Sequence, residues 1–157
     1  MSEIAKRLED LGITLPRPAL PVANYVPLVR SENLVFVSGQ LPLGPDGKLA
    51  NAHIGKLNAK SPVEPAREAA RLAAINVLAQ LLAELGNLDR ISRVVRLGGF
   101  FAVDGEFEPL AQAMNGASNL MAEVFDHFGR HARTTIGVAY LPLNAICEVE
   151  GLFEIEY

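Results

Sequence analysis

The stretch at the carboxyl end of the chain sets the tightest limit on its fold. Cys147, Val149, Gly151, Phe153 and Ile155 alternate with Glu148, Glu150, Leu152, Glu154 and Glu156. Successive side chains of a strand point to opposite faces of its sheet. The first set therefore faces a core, and the second presents four carboxylates. A chain with this strand needs a sheet with one covered face, and it needs a place for the carboxylates. Two places are open: bulk solvent, or a sheet face used for assembly in which one or two of them line a pocket.

The covering layer is legible upstream. Ser61-Pro62-Val63-Glu64 has the form of a capping box with proline at the first helical position. A helix is expected from there to about Leu85, stopped by Gly86. Ala70, Ala74, Val77, Leu78, Leu81 and Leu85 follow helical spacing, and the alanines suit close packing onto a sheet. A second helix is expected over about Asn115–Phe128, ending at Gly129. Its inner face would hold Met114, Ala117, Met121, Val124, Phe125 and Phe128. Residues 2–11 suit a short helix capped by Ser2, with Ile4, Leu8 and Leu11 on one side. Four prolines within Pro16–Pro27 then read as an extended arm.

Short strands are expected at Val26–Val29 and Leu34–Ser38, joined by a turn at Arg30-Ser31-Glu32-Asn33. Gly44-Pro45-Asp46-Gly47 signals another turn, and Leu49 to Leu57 has room for a short strand. Arg93 to Val103 is β-like, with Gly98-Gly99 marking a bulge. Thr134–Tyr140 and Ile146–Tyr157 read as a terminal hairpin. The order β-β-(β)-α-β-α-β-β predicts an α+β fold, a mixed sheet with two helices on one face. The whole, residues 1–157, reads as one domain with an N-terminal extension over 1–21.

Composition narrows the function classes. Half the residues are hydrophobic and 20% are charged, which excludes a disordered chain. One cysteine excludes an internal disulfide framework and fits a reducing compartment. No apolar run approaches the ~20 residues of a membrane span. The opening MSEIAKRLEDLGITLP lacks the apolar core of a signal peptide and carries acidic residues unlike a transit peptide. The expectation is a cytoplasmic protein with no membrane partner. A net charge of -4 argues against a nucleic-acid partner held by phosphate contacts, though not against a local basic pocket.

The common catalytic templates are missing. There is no Gly-rich phosphate loop, no paired-cysteine metal site and no H-E-x-x-H, and no metal is expected. His53, His127 and His131 read as surface or capping residues, and Cys147 as a buried structural thiol. What remains is a pair. Arg133, at the mouth of a strand, could clamp a carboxylate with two N–H groups, or pair with a nearby glutamate as a surface residue. Glu148, fifteen residues later in what reads as the neighbouring strand, could position a water, or simply be exposed.

Five segments together resemble the Rid/YjgF (reactive intermediate deaminase, L-PSP endoribonuclease-like) family in order and spacing. They are Ala23-Asn24-Tyr25-Val26, Val37-Ser38-Gly39-Gln40-Leu41-Pro42, His131-Ala132-Arg133-Thr134, Leu141-Pro142 and Cys147-Glu148-Val149-Glu150. The resemblance spans roughly residues 22–156 and points to a longer branch of the family. It implies a chorismate-mutase-like fold and a homotrimer with a central β-barrel and sites between subunits. It implies hydrolysis of 2-imino acids or their enamine tautomers to 2-keto acids and ammonia, with no cofactor. On this resemblance Arg133 holds the substrate carboxylate and Glu148 orients the attacking water. Tyr25, Ser38, Gly39, Thr135 and Asn119 would contact the substrate. Thr135 stands where the family often has cysteine, and His131 where it has proline. Two other readings are a trimeric module that binds a small carboxylic acid without turnover, and a ribonuclease. The acidic balance and the 6% aromatic content weigh against the last.

Overall fold

The computed structural model of the chain describes residues 2–21 and 23–157. Its elements are α1 (Glu3–Asp10), β1 (Leu28–Ser31), β2 (Leu34–Gln40), α2 (Val63–Leu85), β3 (Ile91–Ala102), α3 (Leu110–Phe125), β4 (Ala132–Val138) and β5 (Cys147–Ile155). The strands form one mixed sheet in the order β1-β2-β5-β3-β4, parallel only between β3 and β4. The α+β architecture, with helices on one face, is as the patterning predicts. No helix of the described residues is long and apolar enough to cross a membrane.

The core lies between the sheet and the two long helices. Ala70, Ala74, Val77, Leu78 and Leu81 of α2 are fully buried, facing Val149 and Phe153 in one cluster. Each large apolar side chain removed from water there contributes roughly 1.5–3 kcal/mol. Gly86 closes α2 in the left-handed conformation, and its N–H bonds to Leu82 O. Ser61 does not cap this helix: its hydroxyl accepts instead from Asn58 N–H, and Pro62 occupies the N-cap. At the chain's start Ser2 Oγ accepts from Ala5 N–H and caps α1. Asp89 then receives the N–H groups of Glu3 and Ile4, docking α1 onto the domain. Beyond it, residues 13–21 carry no helix or strand, and Val22 of this arm lies outside the described residues.

Several expectations are corrected. The terminal hairpin does not form. β4 runs parallel to β3 at the sheet edge, and β3 separates it from β5. The reason is burial: β5 is apolar at every second position and takes a neighbour on each side, whereas β4 is mostly exposed. The β3–α3–β4 segment supplies the crossover that a parallel pair requires. Residues 49–57 hold a 3-10 turn (Asn51–His53) and isolated bridges in place of a strand. α3 starts at Leu110, directly after Pro109, and ends at Phe125, where Asp126 adopts φ 54°. Phe128 therefore leaves the inner face and lies against the His127 ring, exposed.

Gly98 and Gly99 sit in regular register and not in a bulge. They are needed for close approach: a Cβ on Gly98 would strike the Glu150 side chain, and one on Gly99 would strike Met114 of α3. The register shifts fall elsewhere: earlier in β3, between Ile91 and Arg93 and between Val94 and Arg96, and in β2, where Val37 opposes Gly151 and Gln40 opposes Val149. His53 is buried and not a surface residue, and neither ring nitrogen has a hydrogen-bond partner. Burial holds its pKa down against the opposing pull of Glu68.

Candidate active site

Arg133 enters from the second position of β4. It pairs with Leu97 of β3, which pairs in turn with Gly151 of β5, and both partners are buried on the helix-covered face. Its guanidinium accordingly reaches α3. Nη1 donates to Asn115 Oδ1 at 2.8 Å and to Ser118 Oγ at 3.1 Å, and Nη2 donates to Ala111 O at 3.0 Å. Ala111, Asn115 and Ser118 sit at helical spacing and form one small, polar stripe opposite the strand. Three of the five N–H groups of an arginine are thereby engaged, all with neutral oxygens. Among the described residues no carboxylate pairs with Arg133. One N–H on Nε and one on Nη2 are left without a protein partner among the described residues.

Glu148 occupies the opposite face. It pairs with Phe100, which pairs with Ile136 on β4. Its carboxylate rests against the backbone of Gly39 in the β2 bulge, in the space a Cβ would fill. Burial, and then the Glu150 carboxylate beside it, push the Glu148 pKa above the ordinary carboxylate range. Two other acids of this face have partners: Glu150 lies 3.5 Å from Arg96, and Glu154 accepts from Asn33 Nδ2 at 2.9 Å. Glu148 has no cation partner among the described residues.

Arg133 and Glu148 are therefore not on neighbouring strands. Two strand spacings and three residues separate their backbones, on the order of 14 Å, and they face opposite ways. Within one protomer they cannot share a water. Gly39 lies against Glu148 and not Arg133, and Tyr25 joins Gly39. They line a cleft of about 170 Å³ walled also by Leu20, Leu41, Pro142 and Leu143. Ser38, in the bulge, donates its hydroxyl to Val26 O at 3.1 Å. Thr135 shares the Arg133 face, but its Oγ1 is sealed from solvent without a partner, so its hydroxyl lines no opening. Asn119 is exposed, and Asn115, one turn earlier, holds the arginine.

Sequence reading missed Asn115, Ser118 and His131 as companions of Arg133. The Ala111/Asn115/Ser118 stripe was available as a signal, but starting the helix at Asn115 conceals it. Cys147 is buried, and burial pushes its thiol pKa well up, so it offers no thiolate nucleophile. Among the described residues no three histidine, cysteine, aspartate or glutamate side chains come together in a way that could hold a metal ion.

Comparison with known proteins agrees with this architecture. Residues 5–155 match the family described as "YjgF/chorismate mutase-like, putative endoribonuclease". Protein TCP17 of Trypanosoma cruzi is 42% identical over 153 residues, covering 97% of this chain and 94% of TCP17. The crystal structure of Atu1372 from Agrobacterium tumefaciens, of unknown function, is 46% identical with a TM-score of 0.88, covering 98% of this chain and 92% of that one. A Shewanella oneidensis structure described as "a putative endoribonuclease" is 34% identical with a TM-score of 0.92, covering 98% of this chain and 100% of that one. With sequence and backbone matched over nearly its whole length, the chain belongs to the Rid/YjgF family.

Proposed function

We propose that the chain hydrolyses reactive 2-imino acids and their enamine tautomers to 2-keto acids and ammonia, as a cytoplasmic homotrimer with sites between copies. Arg133 carries this reading. It is a guanidinium surrounded by neutral acceptors, with two N–H groups left for an anion. A small carboxylate held there gains about 1.5–3 kcal/mol from a charge-assisted contact. Glu148 supports the second half of the reading: an unpaired, half-buried carboxylate with a raised pKa suits a group that orients water and accepts its proton.

Because the two lie on opposite faces of one protomer, the reading requires Arg133 of one copy to meet Glu148 of another. The uncovered sheet face, with Val29, Phe36 and Ile136 exposed beside the carboxylates, offers a surface for that assembly. Water adds to the C=N carbon of the iminium, and Glu148 takes one of its protons. The tetrahedral adduct then expels ammonia. The sum is R–C(=NH2+)–COO⁻ + H2O → R–CO–COO⁻ + NH4+. An iminium carbon is already electrophilic, so most of the gain comes from positioning.

The test is keto-acid release from 2-aminoacrylate or 2-iminobutanoate generated in place by a dehydratase. Acceleration over buffer is expected, and none from a folded trimer would overturn the reading. The non-catalytic alternative instead gives a higher Tm with 2-ketobutyrate and no turnover. The endoribonuclease wording attached to the family and to the Shewanella protein favours a third activity. A net charge of -4 and the glutamate-lined sheet face weigh against it.

A further inference from the structure

The hydrogen bonds around Arg133 have a direction, and following them leads to a residue outside the proposed substrate contacts. His131 Nδ1 lies 2.6 Å from Gly129 O. A carbonyl only accepts, so Nδ1 carries the proton. In the neutral ring Nε2 is then an acceptor, and Ser118 Oγ lies 2.8 Å from it. The hydroxyl donates its one proton there. Its lone pairs are left for Arg133 Nη1, which stands at 3.1 Å and can only donate. Each donor thus meets an acceptor along a single line from Arg133 through Ser118 to His131 and on to Gly129.

The far end of the line is fixed by packing. Gly129 sits so close to the α3 backbone that a Cβ on it would strike Met121 O. The Gly129 carbonyl is held in place, and with it the His131 tautomer. We propose that His131 and Ser118 are positioning residues for Arg133. By taking the hydroxyl proton, His131 fixes the Ser118 side chain with its lone pairs toward Nη1, which pins Nη1 against α3 and leaves the Nε proton and the second Nη2 proton for a ligand. Without His131 the Ser118 side chain is free to rotate and donate to a carbonyl of its own helix, which carries Oγ away from Nη1 and costs Arg133 one of its three anchors. The consequence for affinity rests on the reading of Arg133 as a carboxylate clamp, whereas the relay itself does not.

The test uses the full chain and two kinds of readout. In isotope-labelled wild type, nitrogen NMR is expected to show the His131 proton on Nδ1, and the Arg133 Nε–H signal to be sharp and slow to exchange. His131→Phe should broaden that signal. For 2-ketobutyrate, Ser118→Ala and His131→Phe should each weaken binding about tenfold. The double variant should also lose about tenfold, not a hundredfold, since both changes break one relay. Ser118→Thr, which keeps a hydroxyl, should restore most of the affinity. A proton on Nε2 in the wild type, an Arg133 signal indifferent to His131→Phe, or additive losses would each overturn the relay. If 2-ketobutyrate does not bind wild type at all, the clamp reading fails, and the tautomer and the Arg133 signal still decide the relay.

Discussion

The two faces of the sheet hold their charged residues in opposite ways. On the helix-covered face Arg133 is tied by three hydrogen bonds to α3 and, among the described residues, meets no carboxylate. On the uncovered face Glu148 has no cation among the described residues and is pressed against a glycine in a bulge. One face has invested its hydrogen bonds in orienting a cation, and the other leaves an anion partly desolvated. A protomer alone satisfies neither charge. On the proposed reading each is half of a site that a second copy completes, and substitutions on the two faces should therefore differ in kind.

The largest effect is expected from Glu148→Gln. Loss of the water-orienting carboxylate should lower kcat by roughly 10²–10⁴-fold while binding of 2-ketobutyrate survives. Comparable losses in both would place Glu148 in binding and blur the contrast between the faces. Arg133→Ala should act on affinity, with Kd for 2-ketobutyrate rising about 10–150-fold. An unchanged Kd by calorimetry would remove the clamp.

Adjacent glycines offer a sharper comparison within one strand. Gly99→Ala drives a methyl into Met114 in the core and should cost about 1–3 kcal/mol in chemical denaturation. Gly98→Ala meets the Glu150 side chain on the uncovered face, which has solvent to move into, and should cost less. Equal losses would contradict the assignment of faces.

The smallest effect is on pH dependence. Folding raises the Glu148 pKa, so the folded state favours the protonated acid. Its charge is a penalty that is absent below the ordinary value of 4.5, grows as pH rises through the raised value, and then stays constant. Glu148→Gln should thus be more stable than wild type near neutrality, and the difference should close in acid. A Tm gap that instead widens on acidification would reverse the sign.

Much of this fold is legible in the sequence because its signals are local. The alternation from Cys147 to Ile155, the Gly86 stop and the Ser2 cap each depend on a few consecutive residues, and each is found where expected. Strand order is not local. Five residues between two strand-like runs suggest a hairpin, and only the burial needs of β5 place β3 between them. The same error puts Arg133 and Glu148 on adjacent strands on paper, whereas β3 lies between their strands. His53 escapes for a related reason: the turn that buries it is held by Ile146 N–H donating to His53 O, a contact 93 positions away in the chain. The motif residues themselves could be singled out in advance, but the side chains that hold Arg133 depend on where α3 begins.

Mixing two inactive variants tests the central claim most directly. Arg133→Ala and Glu148→Gln chains are unfolded together in equal amounts, refolded, and assayed for keto-acid release. If each site takes its arginine from one copy and its glutamate from a neighbour, about a quarter of the sites regain both, and activity should return to about a quarter of the wild-type value. Mixed trimers that form but stay as inactive as either parent would show that both residues act from one copy, which contradicts the account.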